Sequence, residues 1–412
     1  MDVQYRVLFT ALKTGVPVAE LPCSDLKFSV TITAPGSASF TTPLHGWDPA
    51  IDLQELLMPL RAGVYVLRNG FPVWGGILTT WTADLSAETL SLDCQGLWEY
   101  VKGLVLQETK DYQQVDQASI LAGLLGDVQS FYGMAPDRVS GSTVIHGAQI
   151  LNSQHRIPAT GRLRDRTYNG YETKDLDNIV SELSAVIDGF DFRVDFEWCQ
   201  HNDPSRPAVF GEWFVKNHVQ LIYPNTGWVS DIVLRHGDNC EVGQVRGDGT
   251  GMATRGIATG DGEGDDMLIA RSTNSVMEKT FPPFAHAESY SDVSDLNTLQ
   301  DKANLITSMG VTPVVLPEVT LHPDSFPSFD QIQVGRVVVV EAASGALALS
   351  DAFKVVQIDV ELTEPGQEVI KLSMSPSSLP LSILPPSLAA EFRRTHRRLL
   401  ALERSRRSTI SG

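Results

Sequence analysis

LDNIVSELSAVIDGFDFRVDFEW, residues 176–198, contains a helix pattern, a glycine and a strand pattern in immediate succession. In its first half apolar residues recur every three or four positions, which predicts a helix with one buried face, closed by Gly189 as a left-handed C-cap. In its second half apolar residues alternate with charged ones, which predicts a long strand with one aromatic face. The helix face consists of Leu176, Ile179, Val180, Leu183, Val186 and Ile187, and the strand face of Phe190, Phe192, Val194, Phe196 and Trp198.

The residues before this segment are dominated by strand patterns. Phe28–Ile32 alternates apolar and polar residues, and Asn69-Gly70 between two apolar runs is typical of a tight hairpin turn. Asp116 is placed to cap a second helix. The buried face of that helix is predicted to consist of Ile120, Leu121, Leu124, Leu125 and Val128.

The residues after it return to strands, with one further helix. We expect a loop at 201–208, a strand over Trp213–Tyr223 and a Gly/Asp-rich connection at 247–266. A helix is predicted to open near Asp295 and close at Gly310, with Leu296, Leu299, Ala303 and Ile306 on its buried face. The last predicted strands are Val337–Val340, Phe353–Leu362 and Val369–Met374.

Two of the strand regions share a repeated sequence pattern, which we call the internal echo. Gly63-Val64-x-Val66 is followed by Ile77, Trp81 and Leu90-x-Leu92, and Gly335-x-Val337-x-Val339 by Ile358, Leu362 and Ile370-x-Leu372. Any two antiparallel hairpins share such patterns, so the echo is a weak signal. With it, the sequence predicts an α+β, mainly β protein with two small β-barrel domains, an α/β insertion and a C-terminal helix. The predicted domains are a first β-barrel at 1–103, an α/β domain at 104–205, strands with the Gly/Asp-rich loop and a helix at 206–310, the completion of the second β-barrel at 311–376, and a Pro-rich linker with a basic C-terminal helix at 377–412.

Composition and charge exclude several classes of protein. The chain has 412 residues, 42% of them hydrophobic, and no apolar run approaches the length that spans a membrane. Its net charge of −18 argues against a general nucleic-acid binder. Residues 387–412 contain seven Arg and two Glu, a net charge of +5, which leaves −23 for residues 1–386. The N-terminus lacks a secretion signal pattern, so we expect synthesis in a cytoplasm with reduced, mostly buried cysteines.

Signatures of catalysis and metal binding are weak. GxSxG, HExxH, GxxxxGK[ST] and a Rossmann GxGxxG are all missing, so we expect no enzyme and no cofactor. Cys199, His201, His236 and Cys240 have atypical spacing for zinc, and surface or core roles are favoured over a metal site. The composition of residues 247–266 favours a solvated loop. The alternative is a calcium site whose ligands would be Asp248, Asp261, Glu263, Asp265 and Asp266.

The terminal segment contains a short apolar seam. Leu388, Phe392, Leu399 and Leu402 occupy a and d positions of a heptad pattern, too few for a stable coiled coil alone. These four residues are our candidate interface with a neighbouring chain. A basic tail that docks on the chain's own acidic body is the alternative.

Three segments resemble minor tail proteins of siphophages, the baseplate-hub or tail-tip family, especially those of phages that infect actinobacteria. They are VWGGILTTW (73–81), ETKDLDNIVSELSAVIDGFDFRVDFEW (172–198) and GRVVVVEAASGALALSDAFKVVQIDVELTEPGQEVIKLSMSP (335–376). These motifs are structural patterns and carry no catalytic residues.

The resemblance implies a structural virion protein made in the host cytoplasm and located at the tail tip. It implies a homotrimeric hub ring whose two similar barrels per chain adapt a sixfold tail to a threefold tip and let DNA pass. The implied partners are the distal tail protein ring, the tape measure protein and other tail-tip or fibre proteins. Two alternatives remain: a glycan- or cell-wall-active hydrolase or carbohydrate-binding protein, and the distal tail ring protein itself.

Overall fold

The computed structural model describes residues 3–45, 47, 52–141, 143–152, 157–186, 188–249, 251–291, 293–309, 314–323, 325–364 and 367–376. Over these residues the protein is mainly β with few helices, as the sequence predicts. It divides into two compact units. The first consists of Met1–Ser230, Thr320–Arg336 and Val355–Leu372, and the second of Asp231–Val319, Val337–Lys354 and the chain from Ser373 onward. The five-domain division stays a prediction.

The elements before residue 223 all belong to the first unit. In chain order they are β1 (Tyr5–Ala11), β2 (Pro17–Leu21), β3 (Ser24–Thr31), β4 (Ser37–Pro43), α1 (Leu53–Leu56), β5 (Ala62–Arg68), β6 (Phe71–Asp84), β7 (Thr89–Gly96), α2 (Glu99–Lys102), β8 (Lys110–Asp116), α3 (Gln117–Phe131), β9 (Arg138–Ser140), β10 (Thr143–Ile145), β11 (Leu163–Tyr168), α4 (Leu176–Ser184), β12 (Asp191–Gln200) and β13 (Trp213–Ile222).

The later elements are mostly strands as well. They are β14 (Trp228–Arg235), β15 (Cys240–Asp248), β16 (Arg255–Thr259), β17 (Ile269–Thr273), β18 (Ala285–Ser289), α5 (Leu296–Met309), β19 (Val314–Leu321), β20 (Arg336–Ser344), β21 (Leu347–Glu364) and β22 (Gln367–Pro376).

A long sheet forms the frame of the first unit. Its strands follow the order β21-β3-β4-β7-β6-β5-β1-β2. Asn69 and Gly70 join β5 to β6 with φ angles of 52° and 83°, the two positive values of a type I′ turn, so the hairpin prediction is confirmed. No closure of this sheet into a barrel is found among the described residues, and the two-barrel arrangement stays a prediction.

The glycine pair of the VWGG motif has a packing role. A Cβ on Gly75 would lie 2.6 Å from the Tyr65 ring and 2.7 Å from the Phe196 ring. These two rings meet edge to face with centroids 5.9 Å apart. Glycine therefore lets the aromatic face of β12 pack directly onto the sheet, as side chains interdigitate at crystal-like density.

Helices α3 and α4 bury the faces that their sequences predict. Asp116 caps α3 by accepting the Ala118 N–H at 2.8 Å, and Asp175 caps α4 by accepting the Asn178 N–H at 2.8 Å. Leu121 of α3 and Leu183 of α4 are fully buried in one shared core. Burial of each such side chain contributes about 1.5–3 kcal/mol.

The predicted end of α4 is wrong. The helix stops at Ser184, so Val186 lies beyond it, and Ile187 lies outside the described residues. Asp188, with φ of 56°, adopts the left-handed conformation, and Gly189 does not. Gly189 is needed for another reason, because a Cβ there would lie 1.9 Å from the Ser184 carbonyl oxygen.

Strands β12 and β13, both predicted as strands, pair antiparallel as a hairpin, in register from Asp191↔Ile222 to Gln200↔Trp213. The aromatic face is confirmed, and Phe192 contacts Trp98 with ring centroids 4.0 Å apart. The charged face is covered too, since Lys216 and His218 on β13 are buried. Alternation predicts which residues share a face, but it does not show whether a second layer lies over the charged one.

The second unit contains a small sheet with α5 against one face. The strand order is β17-β16-β18, with β16 and β18 parallel. Within the Gly/Asp-rich stretch, Arg255–Thr259 is a strand, so the prediction of a plain connection is wrong there. Helix α5 opens beside Asp295, which accepts the Thr298 N–H at 2.8 Å. Leu299, Ala303 and Ile306 are buried as predicted, but Leu296 is 53% exposed because it lies in the first turn, and Gly310 lies outside the described residues.

The internal echo falls on matching structures. The first copy covers β5, β6 and β7, and the second covers β20, β21 and β22, three strands in succession that neighbour one another in each case. The middle strand is the longest in both, with 14 residues in β6 and 18 in β21. The repeated sequence pattern therefore corresponds to a repeated three-strand meander.

Candidate functional site

The four candidate interface residues, Leu388, Phe392, Leu399 and Leu402, lie outside the described residues. They stay a prediction. The residues considered as metal ligands in the sequence lie within the described chain, apart from the side chains of Asp248 and Asp265.

The cysteine and histidine candidates do not form one cluster. Cys199 and His201 lie in the first unit, whereas His236 and Cys240 adjoin one another across a tight turn in the second. Among the described residues none of the four cysteines is joined in a disulfide; Cys94 and Cys240 are buried, and Cys23 and Cys199 are partly buried. Among the side chains that the structure describes, no group of three or more His, Cys, Asp or Glu is arranged to hold a metal ion.

A buried arginine, Arg68, connects β5 with Glu368 of β22 within the first unit. Arg68, at the end of β5, is 7% exposed and donates from Nε and Nη2 to both oxygens of Glu368 at 3.1 and 2.9 Å. Its Nη1 donates to Asp330 at 2.6 Å, and the Tyr5 hydroxyl donates to Glu368 at 2.6 Å. Burial and the adjacent Glu368 carboxylate raise the pKa of Tyr5. Sequence reasoning missed this cluster because its members are separated by up to 363 residues.

A second buried charge cluster covers the polar face of β13. The Lys216 ammonium donates to Asp137, and its Nζ lies 2.8 Å from Nδ1 of His146. Asp137 also accepts the Gly147 N–H at 2.9 Å. Although burial opposes ionisation, the contacts with His146 and Lys216 hold the pKa of Asp137 well below its ordinary value. The cluster fixes the segment before residue 152 against the hairpin.

Strand β6 is buried over Trp74–Leu78 and mostly exposed beyond Thr79. Up to Ile77 this strand pairs with β5 on one side, and beyond it, among the described strands, with β7 alone. Trp81 on that outer half is 43% exposed, and Leu85 at the turn that follows is 81% exposed. Large apolar residues on a free strand edge are typical of contact surfaces in assemblies.

Solved structures with a similar fold come from phage tails. The 43 kDa tail protein of prophage MuSo2 from Shewanella oneidensis aligns with a TM-score of 0.55 and 10% identity, over 91% of this chain and 99% of that one. The chain shares its fold with phage tail proteins. A tail protein from Neisseria meningitidis aligns with a TM-score of 0.55 and 12% identity over 92% and 98% of the two chains. The prophage tail protein gp18 from Listeria monocytogenes aligns with 0.51 and 10% over 94% and 99%.

No protein-family model and no curated protein matches the sequence. The likeness to tail proteins is therefore one of fold, at low identity. No helix among the described residues has both the length and the apolar composition that crossing a membrane requires.

Proposed function

We propose that this chain is a structural component of a phage tail, the hub of the tail tip. The observation that carries the proposal is the match to three tail proteins over at least 91% of this chain and at least 98% of theirs. A shared fold by itself does not fix function, so the site arguments below carry the finer claims.

The hub is a homotrimer in this proposal. Each chain supplies two similar β-barrel domains, built around the β5–β7 and β20–β22 meanders, and three chains therefore present six similar units. Six units fit the distal tail protein ring, and three chains fit the tip below. The tape measure protein and tip or fibre proteins are the other proposed partners.

The open half of β6 is a proposed contact surface for these partners or for a neighbouring copy. Trp81→Ser with Leu85→Ser removes its two exposed apolar side chains. We expect the double variant to fold normally and to lose assembly, seen by light scattering and by incorporation into tails. Leu163→Ser with Phe131→Ser, at two other exposed positions, is the matched control. If both double variants assemble equally well, this surface is not a contact.

The terminal seam is the second proposed contact. Leu388, Phe392, Leu399 and Leu402 are too few to trimerise alone, but a preformed ring would hold three copies at high effective concentration. Phe392→Asp with Leu399→Asp should leave the ring intact and weaken attachment of the next tip component. Ser405→Asp with Ser408→Asp adds the same charge at polar positions and serves as the control. Normal infectious tails from the first variant would contradict this role.

The acidic body suits a passage for DNA. Residues 1–386 have a net charge of −23, and like charge discourages contact with phosphates. We propose that more Asp and Glu than Lys and Arg face the axis of the ring. A lumen lined mainly by Arg and Lys in an assembled structure would contradict it.

The decisive experiment measures stoichiometry and position. Light scattering of the purified chain should give a trimer, and cryo-electron microscopy of intact tails should place three copies at the tip. A clean monomer that degrades bacterial cell wall in zymography would instead support the glycan hydrolase. Hexamers would support the distal tail ring protein.

A further inference from the structure

A small cavity in the first unit lies where the β1–β2 turn, the 147–150 segment and β13 meet. Its volume is about 30 Å³. Since a buried water needs roughly 10–15 Å³ by this measure, the cavity has room for one small ion or about two waters. Leu12–Gly15, Gly147–Ile150, His201, Arg206 and Phe214–Asn217 line it, together with Tyr65.

The charges around this cavity are opposite to those of the chain as a whole. Lys13, Arg206 and Lys216 are among the lining residues, and no Asp or Glu is. Lys216 is paired with Asp137, which lies outside the lining, and Arg206 donates to the Gly147 carbonyl oxygen at 2.8 Å, so Lys13 and Arg206 carry the positive charge of the cavity. In a protein of net charge −18 this is a local concentration of positive charge.

His201 is a titratable residue in the lining of this cavity. The residue is 3% exposed and stacks on Phe214 with ring centroids 4.0 Å apart. Its Nε2 lies 2.9 Å from the Thr14 carbonyl oxygen, which can only accept, so the neutral ring carries its proton on Nε2. Its buried Nδ1 has no hydrogen-bond partner.

The surroundings keep His201 neutral as long as no anion is present. Burial, and then the positive charges of Arg206 and Lys216, lower the pKa of His201 and outweigh the Thr14 carbonyl. A negative charge in the cavity would oppose these effects. It would favour the doubly protonated ring and offer an acceptor to its Nδ1–H.

We propose that this cavity is a binding site for a small monovalent anion, chloride or a carboxylate group, and that His201 takes up a proton when the anion binds. Apart from this proton transfer, no covalent bond is made or broken. One proton moves from solvent to Nδ1 of His201, and its uptake is coupled to the anion. By linkage, anion affinity rises as the pH falls.

The test uses the full-length chain and measures binding by isothermal titration calorimetry with sodium chloride, sodium acetate and sodium phosphate at pH 6 and pH 8. Ionic strength is held constant with a bulky organic sulfonate. We expect chloride or acetate to bind more tightly at pH 6, and phosphate to bind weakly because of its size. Titrations in two buffers of different ionisation enthalpy should show an uptake of up to one proton per anion. If only acetate binds, a carboxylate is the natural ligand; if only chloride binds, the free ion is.

Three variants separate this site from general salt effects. His201→Gln keeps a donor for Thr14 but cannot titrate, so it should abolish the pH dependence. Lys13→Gln, at an exposed position, should weaken binding by roughly 1.4- to 5-fold, the range typical of exposed charge interactions. Lys102→Gln, on α2 and paired with Glu99, should change nothing. The proposal is overturned if neither anion binds, or if all three variants behave like the unaltered chain.

Discussion

Replacement of Arg68 by methionine should cost the first unit about 3 kcal/mol of its free energy of unfolding. The change removes the two hydrogen bonds to Glu368 and leaves that carboxylate, 14% exposed, with Tyr5 as its remaining charge-neutral donor. Removal of one member of a buried ion pair costs about 3–5 kcal/mol. We use the lower end of this range because the second ion pair of Arg68, with the 66% exposed Asp330, contributes less than about 1 kcal/mol.

Urea unfolding followed by tryptophan fluorescence measures this cost. All seven tryptophans lie between Trp47 and Trp228, so the signal reports the first unit alone. Arg6→Met is the control, because its pair with Glu20 is exposed on both sides and should be worth under about 1 kcal/mol. A double-mutant cycle with Glu368→Gln should give a coupling of about 2 kcal/mol. The reasoning is refuted if Arg68→Met costs no more than Arg6→Met, or if the coupling is near zero.

Three further changes test the internal contacts. Asp116→Ala should destabilise α3 by about 1–2 kcal/mol. Burial, the largest influence on the pKa of Asp116, acts to raise it, but hydrogen bonds from the N–H groups of Ala118, Thr160 and Gly161 lower the pKa overall. The cap's contribution is therefore present above about pH 4 and lost as the pH falls through the lowered pKa, so urea melts of the two proteins should converge between pH 5 and pH 2. Lys216→Met should lower the free energy of unfolding by about 3 kcal/mol, because it leaves Asp137 buried without its cation. Hydrogen exchange should show the 133–152 segment opening first. Unchanged protection of that segment would argue against the cluster's role. Gly36→Ala should lower the thermal midpoint more than Gly103→Ala, whose backbone has an ordinary φ of −84°, because a Cβ on Gly36 would lie 1.9 Å from the Ser29 carbonyl oxygen while one on Gly103 would have its nearest neighbour at 3.4 Å. Equal shifts would contradict the packing argument.

Local signals predicted local structure well. Asp116 and Asp295 cap helices as their positions indicate, and Asn69-Gly70 makes the expected turn, because each depends on a few neighbouring residues. The end of α4 is not predicted correctly because Gly189 is required by a close backbone approach rather than by its φ angle, and one sequence pattern fits both.

Contacts between distant residues were beyond sequence reasoning. Periodicity predicts an aromatic and a charged face on β12, but the layer over the charged face comes from Asp137 and His146, which lie 79 and 70 residues before their partner Lys216. In the sequence Arg68 is a cation at the end of a strand, and its hydrogen bonds to Glu368 form only in the folded chain. The cavity beside His201 likewise combines five separate segments.

The pairing of β3 with β21 sets an order for biosynthesis. Lys27–Thr31 must wait for Gln357–Glu361, which leave the ribosome more than 300 residues later. Until then β3 has an unpaired edge, a template for aggregation that is exposed throughout translation. A chain broken off before residue 355 never covers that edge, so truncated products should be insoluble rather than defective subunits. Pairing of β3 in the folded protein thereby depends on residues that are translated more than 300 positions after it.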